Sequence, residues 1–195
     1  MNTLFDPLPG NLLVVVAPHA GGALMLELVA RLACRGPLRL LEGGNRFDVY
    51  RCNQAVARAL QALQAGYPLS IGGEGEPATP SSLRQIMERI QLARAFTCYQ
   101  LVSLLKQTPA LPTPTLVLDM LTTFYDENVS ADESLRLLGI CLGELQRLNC
   151  RAPVAVSVRP GLPRSRPELL NAVLSAADKV WRLEPDLPAP PPRLF

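Results

Sequence analysis

Short apolar runs that alternate with stretches of helical periodicity leave this chain few folds to choose from. Residues 12–16 (LLVVV), 116–118 (LVL) and 154–158 (VAVSV) are almost unbroken apolar runs, rich in valine. Such runs mark strands covered on both faces. Residues 38–41, 90–93 and 180–183 read as further short strands. Between them apolar positions recur every three or four residues. One stripe is Leu24, Leu28, Val29 and Leu32, and a second is Ala55, Val56, Ala59, Leu60 and Leu63. Others are Leu101, Val102, Leu104 and Leu105; Leu135, Leu138, Leu142 and Leu145; and Leu169, Val173 and Leu174. One face of each helix is therefore apolar. Strand and helix in alternation predict an α/β fold: a mainly parallel central sheet, right-handed crossovers and helices on both faces.

Local punctuation supports these boundaries. Pro37 separates the first helix from the second strand, and Gly43-Gly44 closes that strand. Residues 66–80 (GYPLSIGGEGEPATP) read as a surface loop, and residues 80–82 open a short helix through Ile86 and Met87. Thr97 is placed to cap a helix. Ser130-Ala131-Asp132-Glu133 and Ser165-Arg166-Pro167-Glu168 both fit the S-x-x-E capping box. One domain over residues 1–184 is expected, followed by a proline-rich extended tail over 185–195. The tail ends Arg-Leu-Phe. It reads as a docking peptide for a partner protein, and equally as a frayed terminus.

Composition excludes several classes. The chain is 48% hydrophobic and 18% charged, as in globular proteins. No apolar run approaches the roughly 20 residues that span a bilayer, and MNTLFDPLPGN lacks a basic leader, so a cytoplasmic protein without membrane association is expected. The 5 cysteines form no C-x-x-C pair and suit reduced, mostly buried thiols. A single histidine makes a zinc site or a Ser-His-Asp triad implausible. Net charge is only +2, so any nucleic-acid contact must come from a local patch.

In a parallel sheet, ligands bind beyond the carboxyl ends of the strands. Those ends fall at residues 17–22, 42–45, Asp119 and Arg159. The first has the layout of a phosphate-binding loop without its chemistry. Against G-x-x-x-x-G-K-[ST] the chain reads Ala17, Pro18, His19, Ala20, Gly21, Gly22, Ala23 and Leu24. Ala23 stands where lysine would reach the phosphates, and Leu24 where a hydroxyl would hold Mg²⁺. Backbone N–H groups at a helix N-terminus still bind anions. The same turn also serves any doubly wound sheet. His19 reads either as a substitute phosphate donor or as an exposed loop residue.

Four landmarks taken together resemble the ATPase core of the RecA/RadA-type strand-exchange recombinases and their paralogues, within the P-loop NTPase superfamily. They are APHAGGAL after the first strand, LLEGGNRFDVYR, which looks like the family's D-x-E-G-x-F segment, IQLARAFTCYQLVSLL, similar to ARAFxxxHQ, and the Walker-B-like TLVLDMLTTFY. The resemblance implies a RecA-like core with a degenerate Walker A motif. The departures are as informative. Aligned on Phe47, the family's water-activating glutamate falls at Gly44 and its aspartate at Glu42. Its nucleotide-sensing glutamine falls near Arg159, and its DNA-binding loop shrinks to residues 160–166.

The resemblance implies the following roles. Pro18, His19, Ala20, Gly21, Gly22, Ala23 and Leu24 would form the nucleotide site, with weak ATP and Mg²⁺ as the cofactors and Asp119 as the metal anchor. Glu42 and Asp119 are the candidate catalytic carboxylates. Arg159, Arg164 and Arg166 would contact single-stranded DNA. Asp119 reads otherwise as a strand-end carboxylate, and the arginines as a solvated loop. Glu42, Asn45, Arg46 and Asp48 form a polar cluster beside two glycines, which admit either a ligand or another backbone. Phe47, Arg94 and Phe96 read as packing residues. The expected role is an accessory protein of DNA recombination or repair that binds DNA or a recombinase-like partner, or further copies of itself, without hydrolysing ATP. A weak ATPase of the same type and a ligand-free interaction scaffold are the alternatives.

Overall fold

In the computed structural model, residues 10–17, 22–65, 82–159 and 166–183 are described. The described residues hold six strands: β1 (Leu13–Val16), β2 (Leu38–Glu42), β3 (Ile90–Arg94), β4 (Thr115–Leu118), β5 (Val154–Val158) and β6 (Lys179–Arg182). They are joined by helices α1 (Ala23–Arg35), α2 (Val49–Gln64), α3 (Leu83–Glu88), α4 (Cys98–Gln107), α5 (Ala131–Asn149) and α6 (Pro167–Ala176). All strands pair in parallel, in the order β3-β2-β4-β5-β1-β6. The expected α/β class is the observed one, and the architecture is consistent with a RecA-like core.

Alternation along each strand splits the core in two. Leu12, Val14 and Val16 point to the side that holds α4, α5 and α6, whereas Leu13, Val15 and Ala17 point to α1, α2 and α3. The crossovers from β1 to β2 to β3 use the α1–α3 face, and the return through β4, β5 and β6 uses the other. Outgoing connections therefore diverge between β5 and β1 and again between β2 and β4. The second divergence sets the ends of β2 and β4, Glu42 and Asp119, side by side. Open α/β sheets bind ligands at such reversals.

The caps follow sequence logic in part. Thr97 Oγ1 accepts from the Gln100 N–H at 3.2 Å, as expected for an N-cap. Ser130 Oγ accepts from Glu133 N–H, but the Glu133 carboxylate turns to Arg136, so only half of the expected capping box forms. The full box is at Ser82 and Gln85, reciprocal at 3.3 and 2.8 Å. The N-cap of α6 is Arg166, with Pro167 in the first turn, where its missing N–H does no harm. One element was not foreseen, a 3-10 helix over Met120–Tyr125. It follows Asp119, whose φ of 54° is left-handed and turns the chain sharply off β4. Phe124 of this short helix is fully buried. The expected loop over 66–80, the Ser165 cap and the proline-rich tail lie outside the described residues.

Candidate functional site

The carboxyl edge holds two buried carboxylates, each met by an arginine from the neighbouring strand end. Glu42, the last residue of β2, is 1% exposed. Its Oε1 accepts the backbone N–H groups of Arg46 and Phe47, curling the loop after β2 back over the strand end. Its Oε2 lies 2.9 Å from Arg94 Nε, the register partner on β3. The N–H is not aimed at that oxygen, which has the charge of the arginine beside it but no hydrogen bond.

Asp119 is held more completely. Its N–H donates to Ser157 Oγ of β5 at 3.0 Å. Arg159, one residue past β5, donates Nε to Oδ1 at 3.1 Å and Nη2 to Oδ2 at 2.5 Å. Nη2 also reaches Thr122 Oγ1 at 3.3 Å. This is the two-pronged geometry in which arginine binds carboxylates best. Gly44 packs on the same carboxylate: a Cβ there would stand 2.3 Å from Asp119 Oδ2. The two glycines after β2 thus admit another part of this chain, the Asp119 turn. Tyr125 lies close by, its hydroxyl buried without a partner. Burial pushes that phenol up, and the charges of Asp119 and Glu168 add to the shift.

The other expected site residues are dispersed. Gly22 caps α1 without a side-chain bond, and Ala23 and Leu24 form its first turn. Leu24 packs its side chain partly into the core. Pro18, His19, Ala20 and Gly21 lie outside the described residues, as does Arg164. Arg166 is a clamp: Nη1 donates to Phe124 O at 3.0 Å and to Ser134 Oγ at 2.7 Å, and Nη2 donates to Val129 O. It ties α6 to the 3-10 helix and the start of α5. Two of the three arginines assigned to DNA are therefore engaged within the fold.

Phe96 corrects the packing expectation. It is 64% exposed, because β3 ends at Arg94 and the chain has already turned toward α4. Arg94 does hold the fold together, through Glu42.

Four cysteines are buried and Cys150 is exposed. Burial raises the Cys52 thiol to about 11 and the Cys141 thiol to about 12, which leaves both protonated and inert. Among the described residues, no group of three or more His, Cys, Asp and Glu is placed to hold a metal, and no helix is long and apolar enough to cross a membrane. Comparison with known proteins gives no matching family model and no match among curated proteins.

Proposed function

We propose that the chain is a RecA-like accessory protein of DNA recombination or repair that works without ATP hydrolysis. The observation that carries this reading is the Asp119–Arg159 pair. In a P-loop NTPase the strand-end aspartate serves a magnesium ion. Here both of its oxygens accept from a guanidinium. A metal would have to displace Arg159 and leave that cation without its partner. Leu24 supplies no hydroxyl, and Ala23 no cation, in the first turn of α1. The described residues do not fit a magnesium–triphosphate group. Glu42 is buried, with its Oε1 tied to the Arg46 and Phe47 amides and its Oε2 beside the Arg94 cation.

A thermal-shift titration tests this. Mg-ATP and ADP should leave the melting temperature unchanged, and oligo-dT should raise it. A ligand at about 100 times its dissociation constant adds about 2.7 kcal/mol, or roughly 5–11 °C for a chain of this size. A magnesium-dependent shift with ATP, joined by turnover that vanishes in Asp119→Ala, would refute the reading.

A further inference from the structure

The fold gathers a second surface whose chemistry differs from that of the arginine pairs. β2 and β3 end side by side, with Glu42 in register with Arg94, at the outer corner of the sheet. Beyond β2 come Arg46, Val49, Tyr50 and Arg51. Beyond β3 comes Phe96. Tyr50 is 71% exposed in the first turn of α2, and Phe96 is 64% exposed. Arg46, Arg51 and Arg94 are also exposed. The acidic groups here are committed: Glu42 is buried, and Asp48 caps α2 by accepting from the Tyr50 and Arg51 N–H groups at 2.9 and 3.2 Å. Two open aromatic rings and three exposed arginines thus lie just beyond the ends of two adjacent strands, Arg94 with its Nε already turned to Glu42. Tyr99, the next aromatic along the chain, lies on α4 near Glu133 and Arg136 and is not part of this set.

Aliphatic docking faces expose leucine and isoleucine, and acidic peptides need no flat rings. Exposed rings together with arginines at neighbouring strand ends suit a ligand that alternates flat bases with phosphates. We infer that the Tyr50–Phe96 corner binds single-stranded nucleic acid, with bases stacked on the two rings and phosphates met by Arg46, Arg51 and Arg94. This inference rests on the proposed DNA-directed role. It moves the contact from the arginine loop after β5 to the outer corner of the sheet.

Fluorescence anisotropy of labelled dT30 on the full chain tests it. Tyr50→Ala and Phe96→Ala should each weaken binding about 5- to 150-fold, the range of one base–ring stack. With three phosphates neutralised, the log–log salt slope should be about −2, giving roughly 20-fold weaker binding at 200 mM than at 50 mM salt. Arg51→Ala should make that slope shallower by about 0.7. Phe96→Trp places a reporter at the same point, and its emission should quench as dT30 binds but not as an abasic strand binds. Both ring positions are exposed, so circular dichroism melts should match wild type.

Binding of dT30 that survives both alanine changes, or an unquenched Phe96→Trp, overturns the corner while the accessory role stands. Failure of dT30 to bind at all overturns the corner and the DNA-directed role together. Variants that lose self-association in light scattering but keep dT30 make the corner a protein interface and also overturn the inference. Turnover of ATP would count against the non-hydrolytic reading alone.

Discussion

Arg166→Ala separates a nucleic-acid arginine from a structural one. In the fold its guanidinium serves Phe124 O, Ser134 Oγ and Val129 O, and the residues carrying the first two are fully buried. A hydrogen bond to a charged group contributes about 1.5–3 kcal/mol, and a stranded buried acceptor costs about 1–3 kcal/mol. The sum is reduced because Ser134 Oγ also donates to Phe124 O at 3.3 Å, so that carbonyl keeps a partner. A net loss of about 2–4 kcal/mol remains. For a chain of this length each kcal/mol moves the melting point about 2–4 °C, so differential scanning calorimetry should register a fall of roughly 4–16 °C. Arg166→Lys should recover only part of it, since an ammonium cannot span the same fork of acceptors. An arginine on a solvated loop would change stability by no more than about 0.5 kcal/mol. If Arg166→Ala melts within about a degree of wild type while affinity for oligo-dT collapses, the clamp argument is wrong and the arginine belongs to the ligand.

Other changes probe the same edge and core. Arg159→Ala strands a buried carboxylate and should lose about 3–5 kcal/mol in urea unfolding, with Asp119→Asn in the same chain restoring much of the loss; simple additivity of the two would show that they are not coupled. Gly44→Ala forces a methyl onto Asp119 Oδ2 and should lose about 1–3 kcal/mol by the same measurement, whereas an unchanged midpoint would place the glycine elsewhere. In native protein at pH 8, a thiol reagent should modify Cys150 at once and leave the buried four intact until denaturant is added; mass spectrometry reads the count. Folding raises the Cys52 and Cys141 thiols to about 11 and 12, so their protonated forms favour the fold below pH 9 and that contribution is lost as pH rises through those values. The denaturation midpoint should therefore fall between pH 8 and pH 10.5, and a flat profile would contradict the burial.

What the sequence disclosed was what neighbouring residues decide. The runs over 12–16 and 154–158 announce strands because a run without polar alternation suits only a sheet covered on both sides. Thr97 announces its helix because a cap is a contact three residues long. The 3-10 helix after Asp119 had no such signal: six residues are too few for a helical period to declare itself, and the left-handed aspartate that starts it is no cap. Phe96 departs from the packing role expected of it, because β3 ends at Arg94 and the turn into α4 exposes the ring. The site was least legible. Asp119 meets Arg159 across 40 positions of sequence, and Glu42 meets Arg94 through strand order alone. Reading the chain found these strand ends but not which side chains would neutralise one another.

The sheet also acts as a bulkhead. Among the described residues, the buried side chains of the α1–α3 compartment and those of the α4–α6 compartment form separate clusters on opposite faces of the sheet. A void opened at Val56 should therefore leave side chains around Leu138 where they were, and paired truncations, one per compartment, should sum in their effect on stability. Each flank can then drift in composition on its own terms, so long as the valine rows that wall them apart are kept.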